Sequence, residues 1–180
     1  MSLLSYYELC QLVEDGVITD VDPKAINAAS IDVRLGNEIV VEDVNVAATV
    51  VSIREREVFP AVKLTMPEQG YILSPGEFIL AHTVEKFNLP NDIVAEFKLK
   101  SSGARTGLEN ALATWCDCGW NGSVLTLELK NFLRRHSLRI TPGMYIGQMI
   151  FYRVSEVPAE RSYATIGRYN NDASVQTVKE

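Results

Sequence analysis

The sequence lacks the features that mark membrane and secreted proteins. It has no apolar run of the ~18 residues that a membrane helix needs, and its N-terminus has no basic region followed by an apolar one. Its 3 cysteines (Cys10, Cys116 and Cys118) are an odd number, which argues against a disulfide framework and fits a reducing compartment. We therefore expect a soluble, cytoplasmic protein with no membrane partner.

Positive charge is also in short supply. The 17 Lys and Arg residues are outnumbered by 23 Asp and Glu residues, which gives a net charge of −6. A general nucleic-acid binding role therefore has no electrostatic support, and an anionic ligand must be held by local cations or by a metal. The 180 residues, 47% of them hydrophobic, can bury one core, which predicts a single domain.

Potential zinc ligands are few. Cys116 and Cys118 form a C-x-C pair, but the sequence has no second cysteine pair, and its only histidines are His82 and His136. Structural zinc sites almost always use about four such ligands. The sequence therefore favours ordinary thiols over a zinc site.

Strand-like patterns dominate from residue 31 onward. Before them, Ser5 and Glu8 have the spacing of a capping box, and a short helical pattern follows and ends near Gly16. From Ile31 the apolar residues alternate with polar ones, which is the period of a half-buried strand. Further strand-like runs lie at 39–41, 50–53, 71–73, 78–82, 93–99, 124–129 and 145–152. Many short strands separated by glycine- and proline-containing turns predict an antiparallel barrel or sandwich.

The end of the sequence differs in composition from this β-rich part. Residues 161–172 are polar, carry aromatic and cationic side chains, and show no clear period. Composition leaves two interpretations open, a disordered end or a segment that becomes ordered over a ligand.

The stretch at 98–105 (KLKSSGAR) concentrates groups suited to an anionic ligand. The hydroxyls of Ser101 and Ser102 follow two lysines, and Gly103 permits close backbone approach, so several donors could converge on phosphate oxygens. Arg105 has the planar fork that clamps a phosphate or orients a carboxylate. A polar loop that ends in an exposed arginine explains the same residues without any ligand.

Two acidic residues follow this stretch. Glu128 lies in the run VLTLEL at 124–129, where a buried carboxylate must be paired or have a raised pKa, as general acid–base catalysis near neutrality requires. The alternation of Thr126, Glu128 and Lys130 with leucines equally fits an outward-facing charge on a strand with one wet face. Asp117 lies in a turn-like setting, where it either bonds to local backbone or meets a sugar hydroxyl.

Several segments, taken in order, resemble the dCTP deaminase branch of the dUTPase-like superfamily over most of the chain. They are INAASIDVRLGN at 26–37, LSPGEFILAHTVEKFNLP at 73–90, SSGAR at 101–105, DCGWNG at 117–122, LE at 127–128 and PGMYIGQ at 142–148. The resemblance implies a mainly β subunit, a distorted jelly roll or β-barrel of the dUTPase-like type with a short N-terminal helix. It also implies a homotrimer with active sites between subunits. Residues 1–156 would form the nucleotide-binding and catalytic domain, and 157–180 would close over the active site.

The reaction implied by the resemblance is hydrolytic deamination of a deoxycytidine nucleotide, dCTP to dUTP and ammonia. Mg²⁺ would bind through the nucleotide phosphates, and no zinc would take part. His82 and Glu85 do not have the His-x-Glu spacing of zinc deaminases. Two alternatives remain. One is a bifunctional enzyme that continues to dUMP and pyrophosphate, with Asp117 serving the second water. The other is a catalytically silent nucleotide-binding trimer.

The resemblance also implies roles for individual residues. Glu128 would be the general base, while Ser101 and Arg105 would hold the attacking water and the carboxylate in place. The implied nucleotide contacts are Lys100 and Ser102 toward phosphate, Asp117 toward the deoxyribose, the Ala113 backbone toward the cytosine amino group, and Gln148, Tyr163, Arg168 and Tyr169.

The sequence departs from the family pattern in two places. Compared with the family pattern, this sequence has one residue fewer between Arg105 and Asp117 and one residue more between Asp117 and Glu128. Asp172 stands where the tail often has a glutamine near the phosphates. A carboxylate there repels a triphosphate unless magnesium intervenes.

Overall fold

The computed structural model of the chain describes residues 2–111 and 113–179. These residues form the helices α1 (Tyr6–Glu14), α2 (Ser101–Arg105) and α3 (Tyr163–Ile166), with 3₁₀ turns at Pro23–Ala25 and Ala159–Arg161. The expected N-terminal helix is confirmed as α1. Its capping box joins the backbone N–H of Ser5 to Glu8 Oε2 at 2.9 Å.

Short strands make up most of the ordered structure. They are β1 (Ser2–Leu3), β2 (Ile18–Thr19), β3 (Ile31–Arg34), β4 (Glu38–Glu42), β5 (Ala61–Thr65), β6 (Tyr71–Leu73), β7 (Phe78–Asn88), β8 (Ile93–Leu99), β9 (Leu108–Asn110), β10 (Trp115–Cys116), β11 (Asn121–Asn131), β12 (Leu138–Ile140) and β13 (Tyr145–Arg153). Their pairings are all antiparallel.

Two large sheets and one small one share these strands. The first sheet has the order β1-β13-β8-β10, with β3 also paired to β13; the second has the order β5-β4-β7-β11-β9, with β2 also paired to β7. Strands β12 and β6 form the small sheet. One apolar core joins the large sheets, with Phe97 and Phe151 from the first and Phe87 and Leu127 from the second, all fully buried. The predicted mainly β fold with a short N-terminal helix is therefore confirmed.

The prediction of a strand at 50–53 is wrong. These residues lie in the irregular connection between β4 and β5, and Val50 and Ile53 are more than nine-tenths exposed. The strand that pairs with β4 is instead β5, whose residues are all exposed. Strand β5 is an edge strand without a buried face, and along it only Val62 and Leu64 alternate with polar residues.

The C-terminal segment (residues 157–179 of the described chain) is ordered against β11. The backbone N–H of Asn171 donates to the Asn121 carbonyl at 3.0 Å, and that of Val124 donates to the Asp172 carbonyl at 2.9 Å. Further along, the N–H of Gln176 donates to Thr126 Oγ1 at 3.2 Å. This packing disagrees with a disordered end for the described residues, while ordering over a ligand stays a prediction.

In the described parts of the chain, no helix is both long and apolar enough to cross a membrane.

Candidate active site

A cavity of about 470 Å³ lies on the outer face of the second sheet. The sheet forms its floor, while residues 51–59 (the 51–59 loop) and the C-terminal segment form two of its walls. The floor consists of Phe78, Leu80, Val124, Leu125, Thr126 and Glu128. The loop contributes Val51, Ile53, Arg56, Glu57, Val58 and Phe59, and the C-terminal segment contributes Tyr163, Tyr169, Asp172, Gln176, Thr177 and Val178. Ala113, Trp115, Cys116, Asp117 and Trp120 complete the lining.

The 51–59 loop is fastened to the sheet that it covers. Phe59 packs edge-to-face on Phe78, with ring centroids 6.4 Å apart, and joins a small apolar cluster formed by Val40, Leu80 and Val175. Since Val175 belongs to the C-terminal segment, the cluster ties both walls to the sheet.

Glu128 projects from β11 into this cavity. Its neighbours Leu127 and Leu129 are fully buried in the core, so the period of the strand turns Glu128 to the outer face. The loop and the C-terminal segment cover that face, and Glu128 is half-buried as a result. The interpretation that Glu128 faces outward gives the correct direction of its side chain. Its burial comes from the loop and the C-terminal segment, which cover this face.

Burial sets the acid–base character of Glu128. Desolvation raises the pKa of the carboxyl above its ordinary value of 4.5, and a hydrogen bond from its own backbone N–H opposes the rise only in part. Within the described chain, the buried Oε2 atom accepts no hydrogen bond. A carboxylate with a raised pKa and an uncommitted oxygen can both accept and return a proton near neutrality.

Four other predicted site residues line the same cavity. Ala113 and Asp117 lie on one wall, and Tyr163 and Tyr169 belong to the C-terminal segment. Asp117 is exposed, and its Oδ1 accepts a hydrogen bond from Trp115 Nε1 at 2.8 Å, which fixes the carboxylate against the indole. Burial raises the pKa of the Tyr163 phenol, which therefore keeps its proton and can act as a hydrogen-bond donor.

The remaining predicted residues lie elsewhere in the chain. Ser101, Ser102 and Arg105 occupy the exposed helix α2 rather than a loop, and they do not line the described cavity. Lys100 precedes this helix and forms an ion pair with Asp32. Gln148 lies across the β3–β13 pair from Asp32. Within one chain, therefore, neither the residues predicted to hold the water (Ser101 and Arg105) nor those predicted to contact phosphate (Lys100 and Ser102) line the cavity with Glu128.

Arg168 also lies outside the cavity lining, and its carbonyl accepts a hydrogen bond from Lys179 Nζ at 3.2 Å.

The sequence pattern did not single out Arg56, Trp120 or Lys179. Arg56 and Trp120 line the cavity, and Arg56 has a positive φ of 54°. Because these contacts join distant parts of the chain, no local pattern marks them.

The cavity is acidic for its size. Glu57, Asp117, Glu128 and Asp172 line it, and Arg56 is the only cation among its described lining residues. Across residues 2–111 and 113–179, no group of three His, Cys, Asp or Glu side chains is arranged to hold a metal ion. Burial raises the pKa of the Cys116 thiol and thereby disfavours the thiolate that would bind a metal.

Comparisons with known proteins agree with this architecture. A family model described as dCTP deaminase-like matches residues 3–154. A Kocuria rhizophila protein named "dCTP deaminase, dUMP-forming" is 36% identical over 151 residues, covering 83% of this chain and 77% of that protein. A Methanospirillum hungatei protein with the same name is 36% identical over 160 residues, covering 83% of this chain and 80% of the relative.

Among solved structures, a 2′-deoxycytidine 5′-triphosphate deaminase from Agrobacterium tumefaciens superposes with a TM-score of 0.62 at 22% identity. The match covers 84% of this chain and 47% of the solved chain, so this chain spans about half the length of that protein. At this identity the likeness establishes the fold.

Proposed function

The chain belongs to the dCTP deaminase-like family of enzymes, and on that premise we propose that it converts dCTP to dUMP, ammonia and pyrophosphate. The sequence favoured release of dUTP, with the bifunctional reaction as the alternative. The Kocuria rhizophila and Methanospirillum hungatei relatives both carry the name "dCTP deaminase, dUMP-forming", which supports the alternative better.

The observation that carries the deamination step is the half-buried carboxylate of Glu128 with its uncommitted oxygen. Ionised Glu128 takes a proton from water as the water oxygen bonds to C4 of cytosine. The electron pair of the C4=N3 bond moves to N3, which takes this proton from Glu128. Glu128 then accepts the remaining hydroxyl proton as the C4=O bond forms and passes it to the amino group, which leaves as the C4–N bond breaks. Ammonia and a uracil carbonyl result, and Glu128 is regenerated as a carboxylate.

Asp117 is the candidate for the second hydrolysis. Its carboxylate lies on the cavity wall and is oriented by Trp115. Placed beside the deoxyribose, Asp117 can accept the proton of a water that attacks the α-phosphate, which releases pyrophosphate and leaves dUMP.

The separation of the predicted residues supports a site shared between subunits. Glu128, Ala113, Asp117, Tyr163 and Tyr169 line one cavity, whereas the residues around α2 lie outside it. In a homotrimer, α2 of a neighbouring subunit would bring Ser101 and Arg105 to the water and Lys100 and Ser102 to the phosphates. A cyclic trimer is built from heterologous interfaces, and its three-fold symmetry repeats the same contact at each of them.

Magnesium fits this proposal through the substrate rather than through a protein cage. Mg²⁺ keeps several waters and is commonly bound by substrate phosphates with one or two carboxylates. The acidic cavity wall suits such an ion, and the described residues offer no three-residue metal cluster that would bind it alone. When bound, it would neutralise phosphate charge.

Product analysis tests the function. The purified chain is incubated with dCTP, dCMP, CTP or dUTP, with and without Mg²⁺, and the products are separated by chromatography while ammonia and pyrophosphate are measured. We expect dCTP to yield dUMP, ammonia and pyrophosphate in equal amounts. Accumulation of dUTP would contradict the second step, and saturable binding without any product would contradict both steps.

A further inference from the structure

Asp172, which departs from the family pattern, lies on the cavity wall and is only 8% exposed. Its carbonyl accepts the Val124 N–H at 2.9 Å, and its own N–H donates to Ser123 Oγ at 3.1 Å. The backbone of Asp172 is therefore held on β11 independently of its side chain. A carboxylate is thereby fixed at the edge of the cavity.

Lys179 supplies the opposite charge. Its Nζ donates to Asp172 Oδ1 at 2.5 Å and to Oδ2 at 2.7 Å. The same ammonium donates to the Arg168 carbonyl at 3.2 Å and lies 5.3 Å from the centroid of the Tyr169 ring. In addition, the Lys179 backbone N–H donates to the Tyr169 hydroxyl at 3.2 Å. One lysine thus holds three positions of the 168–172 turn.

Trp120, another residue of the cavity lining, also holds this turn. Trp120 Nε1 donates to the Tyr169 carbonyl at 2.6 Å, and both residues line the cavity. Tyr169 is therefore fixed by Trp120 at its backbone and by Lys179 at its ring and hydroxyl. Loss of the Lys179 side chain would remove its contact with the ring, while the bond from Trp120 and the bond from the residue-179 N–H to the Tyr169 hydroxyl would remain.

The charge of the pair has a separate consequence. Glu57, Asp117 and Glu128 already line the cavity, and an uncompensated Asp172 would add a further negative charge. Like charges in a partly desolvated site repel each other more strongly than in water. Pairing with Lys179 removes this repulsion toward an anionic ligand.

We propose that Asp172 and Lys179 act together as positioning residues for the nucleotide. The pair holds Tyr169 at the wall of the cavity that receives the nucleotide, and it cancels the charge of Asp172 toward the phosphates. The inference rests on the proposed function, because it concerns how the same site receives its substrate. Two opposite charges here take the place of the neutral side chain that the family pattern has at position 172.

Steady-state kinetics with dCTP tests the proposal on the full chain. Lys179→Ala leaves Asp172 uncompensated, and we expect KM to rise about tenfold, equivalent to a coupling of about 1.4 kcal/mol, with kcat within about threefold of wild type. Adding Asp172→Asn to Lys179→Ala removes the charge and is expected to recover part of the loss in KM. The exchanged pair Asp172→Lys/Lys179→Asp restores opposite charges and is expected to keep KM within about threefold of wild type.

Lys63→Ala is the matched control. Lys63 Nζ donates to Ser174 Oγ at 3.0 Å, so this variant removes a different lysine contact to the same segment. We expect its KM to stay near the wild-type value, and melting curves establish that each variant is folded. The inference is overturned if Lys179→Ala leaves KM unchanged, if the double variant is no better than Lys179→Ala, or if Lys63→Ala raises KM equally. A wild-type protein that releases no ammonia would instead refute the proposed function.

Discussion

Glu128 lies directly opposite Leu80 across the antiparallel pair of β7 and β11. Opposed residues share one sheet face with Cβ atoms about 5 Å apart, and Leu80 is buried in the cluster that fastens the cavity walls. A leucine side chain cannot solvate a charge, so Leu80 adds to the burial that raises the pKa of Glu128. Leu80 therefore both packs in the cluster that fastens the cavity walls and contributes to the raised pKa of Glu128.

Glu128→Gln keeps the shape of the side chain and removes its proton-accepting oxygen. We expect kcat for ammonia release to fall by roughly 10²- to 10⁴-fold, the usual contribution of a general base. Binding of dCTP, measured by calorimetry, is expected to stay close to that of wild type. Glu109→Gln is the control, since Glu109 is exposed on the neighbouring strand β9 and does not line the cavity. Nearly undiminished turnover in Glu128→Gln would rule out the assigned role.

The raised pKa of Glu128 also predicts how stability depends on pH. Between the ordinary pKa of 4.5 and the raised value, the folded chain binds the proton of Glu128 more tightly than the unfolded chain. The contribution of this group to the free energy of unfolding therefore falls as pH rises through that window, and it stays low above it.

Glu128→Gln lacks this titration. We therefore expect the melting temperature of the variant, minus that of wild type, to become more positive as pH rises from about 4 to about 8. Circular dichroism melts of both proteins measure the difference. An offset that is independent of pH would contradict the prediction.

Mixing variants tests whether the active site is shared between subunits. Glu128→Gln and Arg105→Ala are each expected to be inactive alone. If the two residues meet only across an interface, random reassembly of an equal mixture restores about a quarter of the sites and hence about a quarter of wild-type activity. Ammonia release after joint refolding gives the measurement. No recovery in assembled mixed oligomers would place both residues in a site formed by one chain.

Gly122→Ala tests the docking of the C-terminal segment. Gly122 has a φ of +66°, and a Cβ there would lie 2.3 Å from Asn171 Oδ1 and 3.2 Å from its Cα. The added methyl group must displace Asn171, so we expect faster proteolysis of the segment and a higher KM for dCTP.

Gly76→Ala separates this clash from backbone strain. Gly76 has a φ of +78° and nothing within 4 Å of an added Cβ, so its variant carries a similar left-handed penalty of roughly 1–2 kcal/mol without a collision. Equal proteolysis of the segment in both variants would show that the clash at Asn171 has no role.

Sequence patterns predicted the fold because its determinants are local. Alternation along β3 and β8 identifies strands, and the capping box at Ser5 marks the start of α1. The apolar run at 50–53 gave a wrong strand prediction because its residues contribute to the wall of a cavity rather than pair in a sheet. Strand β5 was missed because an exposed edge carries no buried face.

The environment of Glu128 could not be predicted from the sequence for a related reason. A period of two residues establishes that Glu128 turns away from Leu127, but it does not tell what covers the outer face. That cover comes from Phe59 and Val175, which are distant from Glu128 along the chain. Pairing of Asp172 with Lys179 is likewise a product of chain folding, so the sequence identified the unusual aspartate without its counter-charge.

Both tryptophans of the chain, Trp115 and Trp120, line the cavity. Trp115 is 53% exposed and Trp120 is 6% exposed, so their emission arises from a wet and a dry environment. Under excitation that is selective for tryptophan, the emission of this protein therefore comes from one location, and a shift in its wavelength or intensity reports occupancy of that location without an attached dye. Titration and stopped-flow mixing of the unlabelled protein can follow nucleotide arrival in real time.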